Sequence, residues 1–179
     1  TTATDAFNTA VGLDAGNSVT TGFQNTLIGA LAGDALTDSD YNVAVGYAAL
    51  SSDTLGARNV AVGHEALATQ NFTTATTAYN TALGFQAGRL VTTGTQNTII
   101  GGEAGDALTT GNVNAALGFR ALSSATINGG NTAIGPQALL NFNNTTTAST
   151  YNTAVGYNAG VTLTTGTANT FVGALAGDD

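Results

Sequence analysis

Residues 42–50, Asn-Val-Ala-Val-Gly-Tyr-Ala-Ala-Leu, return seventeen positions later at 59–67 as Asn-Val-Ala-Val-Gly-His-Glu-Ala-Leu, and this return decides the fold. Working outward, the phrase begins again at Asn25 and Asn8 on one side. On the other it begins at Asn80, Asn97, Asn114, Asn131, Asn152 and Asn169, making ten copies with Asn42 and Asn59. The Asn, the Gly four residues on and the Ala seven residues on never vary within the chain. Self-similarity at a fixed short period is the signature of a solenoid, whose units are stable only against their neighbours.

Successive Asn residues lie 17, 17, 17, 21, 17, 17, 17, 21 and 17 apart, so a larger period of 72 residues is superimposed. The ninth position of the phrase keeps that rhythm, reading Gly, Gly, Leu, Leu before repeating. The chain is therefore read as one repetitive segment over 1–179, with super-repeats at 8–79 and 80–151 and a partial one at 152–179. Residues 1–7 match the tail of a fourth-beat connection and 177–179 the start of a second-beat one. The array is expected to continue past both ends.

Gly in the middle of every unit disfavours a helix, and β-branched residues flank it, so the expectation is all-β. Each unit is expected to form one coil of a parallel β-solenoid, about ten coils of 17 or 21 residues in all. A coil would comprise a strand, a corner at the fifth-position Gly where φ is positive, a short second strand and a polar turn. At roughly 4.8 Å per coil the stack would extend about 48 Å. Side chains alternate along a strand. The fourth position is always Val, Ile or Leu, so it is expected to face the interior together with the second position. The third position, mostly Ala, would then face outward toward a partner chain. The ten Asn side chains are expected to bond coil to coil as a structural ladder. One coil buries too little apolar surface to stand alone, which predicts an oligomer, and a trimer first.

Composition removes several classes of function. Charged residues are 8% of the chain, net charge is −8, and the only cations are Arg58, Arg89 and Arg120 at three different places in the repeat. No basic column exists to neutralise phosphates, so nucleic acid is a poor partner. No apolar run approaches the 18 or so residues of a membrane helix. Without cysteine the chain has neither disulfides nor thiolate metal sites.

The Asn-Thr-Ala-Val-Gly phrase resembles the Asn-Ser-Val-Ala-Ile-Gly motif in the heads of trimeric autotransporter adhesins of the YadA type. It is closer still to arrays of the NTAVGYxAG kind in phage tail-fibre and related bacterial surface proteins. The resemblance covers essentially the whole chain, although a coil of 17 or 21 residues is longer than the roughly 14 of the adhesin heads. It implies a left-handed parallel β-roll, trimeric, holding a binding tip away from a surface.

Candidate sites are few. No catalytic residues, cofactor or metal ligands are assigned. His64 is the only histidine, at the variable sixth position, and the only glutamates, Glu65 and Glu103, lie 38 residues apart. Paired carboxylates at a cleft are therefore not expected. Asp34, Asp38 and Asp40 offer hard oxygens to Ca²⁺ in one second-beat loop, but the matching loop carries Thr110 and Asn112 in place of the last two. Tyr47, Phe85, Phe119 and Tyr157, all at the sixth position, would serve either as packing between chains or as a platform for sugar rings. Phe7, Tyr79 and Tyr151 raise the same alternatives, and Asn71, Asn143 and Asn144 stand in glycosylation sequons.

The expected function is a non-enzymatic structural segment of an elongated, homotrimeric extracellular fibre on a virion or cell surface. One alternative is a bacterial adhesin head that itself grips glycan or matrix through its fourth-beat loops. Another is an ice-binding solenoid displaying its second-position column, which is Thr at seven of ten coils.

Overall fold

The computed structural model describes residues 6–146 and 148–178, so most of the loop tail expected at 1–7 falls outside the described residues. Ten strands of three residues follow the ten phrases, with two shorter ones between them. In chain order they are β1 (Thr9–Val11), β2 (Thr26–Ile28), β3 (Val43–Val45), β4 (Gly56–Ala57), β5 (Val60–Val62) and β6 (Thr76–Thr77). Then follow β7 (Thr81–Leu83), β8 (Thr98–Ile100), β9 (Ala115–Leu117), β10 (Thr132–Ile134), β11 (Thr153–Val155) and β12 (Thr170–Val172). Apart from β4 and β6, each strand pairs in parallel with the next phrase's strand, giving one ten-stranded sheet. The chain is an all-β parallel solenoid of about ten turns, and no helix occurs among the described residues.

Register is one to one throughout. Val43 stands beside Val60, and the longer fourth-beat connections still place Val60 beside Thr81 and Thr132 beside Thr153. The extra residues leave as an outer loop, which in the first super-repeat pairs β4 with β6 and in the second makes a single bridge between Gly129 and Ser149.

Each strand of the ten-stranded sheet is three residues long because left-handed backbone brackets it. The residue before each phrase has φ of 48° to 61°, or 75° at Gly130, and the fifth-position Gly has φ of 127° to 139°. The corner at Gly46 is also a close approach: a Cβ there would lie 2.5 Å from the carbonyl oxygen of Gly63 in the next coil. Only Gly satisfies both demands. Beyond the corner the chain enters turns rather than the expected short second strand, with left-handed residues again at the seventh position.

The interior is lined by the opposite set of side chains from the one expected. Third-position Ala44, Ala61, Ala82, Ala116, Ala133 and Ala154, with Leu27 and Ile99, are fully buried. The second and fourth positions face out, where Ile28, Leu83, Leu117 and Ile134 remain 38–45% exposed. The coil is too narrow for three aliphatic columns, so the small residue turns inward.

That narrowness explains the 72-residue rhythm. A Cβ on Gly16 or on Gly33 would lie 2.7 Å from a Leu27 methyl, and one on Gly88 would lie 2.9 Å from Ile99 Cδ1. The bulky third residue of each second beat fills space that two ninth-position glycines leave. In third and fourth beats the exchange reverses: the third position is Ala and the ninth is Leu50, Leu67, Leu122 or Leu139, each fully buried. These leucines adopt φ of 51° to 56°. That costs roughly 1–2 kcal/mol each, which burial of a Leu side chain at about 1.5–3 kcal/mol offsets.

Candidate functional site

The ten Asn side chains form a continuous column at one edge of the sheet. From Asn8 to Asn152 each Oδ1 accepts the backbone N–H of the next phrase's Asn at 2.8–3.1 Å, across both 17- and 21-residue steps. Seven of the amides also donate to a carbonyl fourteen residues onward at 2.7–3.0 Å, tying the turn to the strand. From Asn25 to Asn152 they are 0–2% exposed. Their capacity is consumed internally, so they hold the stack together and offer nothing to a ligand.

Function must then lie on the outside. The outward face of the sheet carries the second and fourth positions of every phrase, the sixth follows just beyond the Gly corner, and none of these thirty residues is Asp, Glu, Arg or Lys. In a chain of net charge −8 such a strip is conspicuous. The sixth position leaves Tyr47, Phe85, Phe119 and Tyr157 beside this face, 49–54% exposed. Tyr47, His64 and Phe85 stack along the axis with ring centroids 5.1 and 5.4 Å apart and planes inclined by 30° and 27°. Their ring faces cover one another and present edges to the outside, which suits lateral packing better than stacking on a sugar.

A second exposed column comprises the residues preceding each Asn. Tyr41 packs edge-on against Phe23 at 5.1 Å, and the Arg58 guanidinium lies 4.8 Å from the Tyr41 ring centre. Tyr79, Tyr151 and Phe7 occupy the same column and are exposed. Near the second fourth-beat loop, Val113, Ile127, Gly130 and Tyr151 line a shallow hollow of about 200 Å³.

The charged candidates are dispersed. Asp38 accepts the Thr21 hydroxyl at 2.7 Å and Asp40 the Phe23 N–H at 3.0 Å, both from the preceding coil. Among the described residues, no three acidic or histidine side chains converge as metal ligands. Glu65 and Glu103 share the seventh-position column, but Gln86 stands between them and donates to Glu65 at 2.7 Å, while Glu103 pairs with Arg120 at 3.4 Å. His64 Nδ1 lies 3.9 Å from Glu65. No helix among the described residues is long and apolar enough to cross a membrane.

No family model, curated protein or solved structure matches the chain.

One buried constellation escapes the repeat pattern. Asp53 is fully buried and accepts the N–H groups of Gly56 and Phe72 at 3.0 Å and the Gln70 amide at 2.6 Å. Gln70 in turn accepts from Asn80 at 2.8 Å. Among the described residues no cation pairs with the carboxyl, and burial holds its pKa above the usual carboxylate range despite those donors. One super-repeat later the same positions are Ala125 and Phe142, both in the apolar core. The sequence signal was the disagreement between two otherwise matching blocks.

Proposed function

We propose that this chain is a non-enzymatic structural segment of an elongated, extracellular homotrimeric fibre on a virion or cell surface, built as a left-handed β-roll. The observation that carries this reading is the ten-coil outward face, long, free of formal charge and bearing an unbroken column of Val, Ile and Leu at the fourth position. At about 4.8 Å per strand and 3.3 Å per residue its strands span roughly 45 by 10 Å. Apolar patches of this size on soluble chains mark association surfaces. The Asn column adds axial stiffness, as a shaft requires. The repeat phrase supports the tail-fibre form of this reading, with attachment to host or surface residing elsewhere in the fibre. Molar mass by light scattering tests it: three chains per particle is expected, and a stable, folded monomer refutes it.

A second reading has one observation in its favour. The second-position column, Thr at seven of ten coils, faces outward instead of inward, at the regular spacing an ice-binding surface uses. Thermal hysteresis above that of a protein blank would support it, and its absence removes it. The adhesin alternative rests on the hollow beside Tyr151, and a glycan array separates it from a spacer.

A further inference from the structure

We infer that the second-, fourth- and sixth-position columns are the self-association face: further copies of this chain, related by rotation about an axis parallel to the stack, lay the same columns against it. This rests on the trimeric reading above and names the surface that makes the trimer.

Two observations identify the occupant as a second copy. The first is charge. Copies of a chain at net −8 repel one another wherever their carboxylates approach, and the thirty-residue strip is the place where they meet without that cost. Arg58, Arg89, Arg120 and all the acidic residues lie off it, as expected for the charge-depleted centre of an interface with a charged rim. The second is period. The sheet is parallel and in register through all ten coils, so its side chains recur at one strand spacing along the whole face. A surface that interdigitates with it over its full length must share that spacing and direction, and the same face of another copy does. Rotation about a parallel axis keeps equivalent coils level.

The sixth-position column supplies a marker of register. Its second-beat members are Ala30, Gly102 and Ala174, whereas first- and third-beat members are Leu13, Tyr47, Phe85, Phe119 and Tyr157. A slip of one coil between copies would set rings level with these notches, so level coils are distinguished from slipped ones.

The chain contains no cysteine, so a single introduced thiol is unique. Val62→Cys lies on the outward face in the fourth coil and Ser52→Cys in an exposed third-beat loop. On mild oxidation, or with a short bismaleimide, Val62→Cys is expected to give covalent dimers on a denaturing gel at least tenfold above Ser52→Cys. In parallel, Val62→Asp is expected to weaken self-association at least tenfold with the far-ultraviolet dichroism unchanged. A solution oligomer in which Val62→Cys stays unlinked and Val62→Asp assembles normally overturns the face while leaving the fibre reading intact. A monomeric parent chain overturns both.

Discussion

Replacing Asn97 by Ala removes one rung from the middle of the Asn column, and the cost follows from counting what is left unpaired. Asn97 Oδ1 accepts the Asn114 backbone N–H and the Asn114 amide, each at 3.0 Å, and Asn97 Nδ2 donates to the Gly111 carbonyl at 2.9 Å. Asn97→Ala therefore leaves the Asn114 N–H and the Gly111 carbonyl without a partner, where Asn97 is 0% and Asn114 2% exposed, while the Asn114 amide keeps its bond to the Asn128 carbonyl at 2.9 Å. Each buried group left without a partner costs about 1–3 kcal/mol, so a total of about 2–6 kcal/mol is expected. The same substitution at Asn169 should cost about 1 kcal/mol, because that residue is partly exposed in the last described coil and water can replace what is lost. Repeat arrays unfold piecewise, so global denaturation is best paired with a local readout. Hydrogen exchange supplies it: the Asn114 amide should lose protection in Asn97→Ala, while amides three coils away keep theirs. Equal costs at positions 97 and 169, or an Asn114 amide that exchanges no faster, would refute the reasoning.

The fifth-position corner is the next test. Gly46→Ala meets both the positive φ and the Gly63 carbonyl, and a loss of more than about 3 kcal/mol in denaturant titration is expected, against under 0.5 for Thr93→Ala on an exposed turn. Ile99→Ala should cost about 2–5 kcal/mol by leaving a cavity beside Gly88 and Gly105. Adding Gly88→Ala to it should cost less than Gly88→Ala in the parent, a coupling that a double-mutant cycle measures. Burial raises the carboxyl pKa of Asp53, and of Asp34 and Asp106, above the ordinary 3.8. The folded state therefore binds these protons more tightly than the unfolded chain. The contribution of these carboxyls to stability is greatest below 3.8, is lost as pH rises through the raised values and changes no further above them. Thermal melts from pH 3 to 7 should show that slope, and Asp53→Asn should flatten it; an unchanged slope in the variant removes Asp53 as its source.

Much of the fold was legible because the repeat is nearly perfect. Ten invariant Asn residues set the number of coils and their register, and the four extra residues after Ala68 and Leu140 announce themselves as outer loops. The fifth-position Gly marks its corner without help from the structure. The candidate face was legible only in part. Tyr47, Phe85, Phe119 and Tyr157 are recognisable as a column from spacing alone, but Val45 and Val62 were assigned to the interior on size. Parity contained the correction: first and third positions share a face, so a buried Asn column requires Ala44 and Ala61 to be buried with it.

What the sequence determined by itself is local and periodic: coil length, corner positions, strand pairing and the 72-residue beat. Tertiary structure decided which face of the strand closes on itself, because alternation distinguishes two faces without saying which one the returning turn will cover. It also supplied the reason for the beat, since Leu27 finds its space only against Gly16 and Gly33. The Asp53–Gln70–Asn80 network belongs to the same category, its members lying ten and seventeen residues apart and meeting only when coils stack.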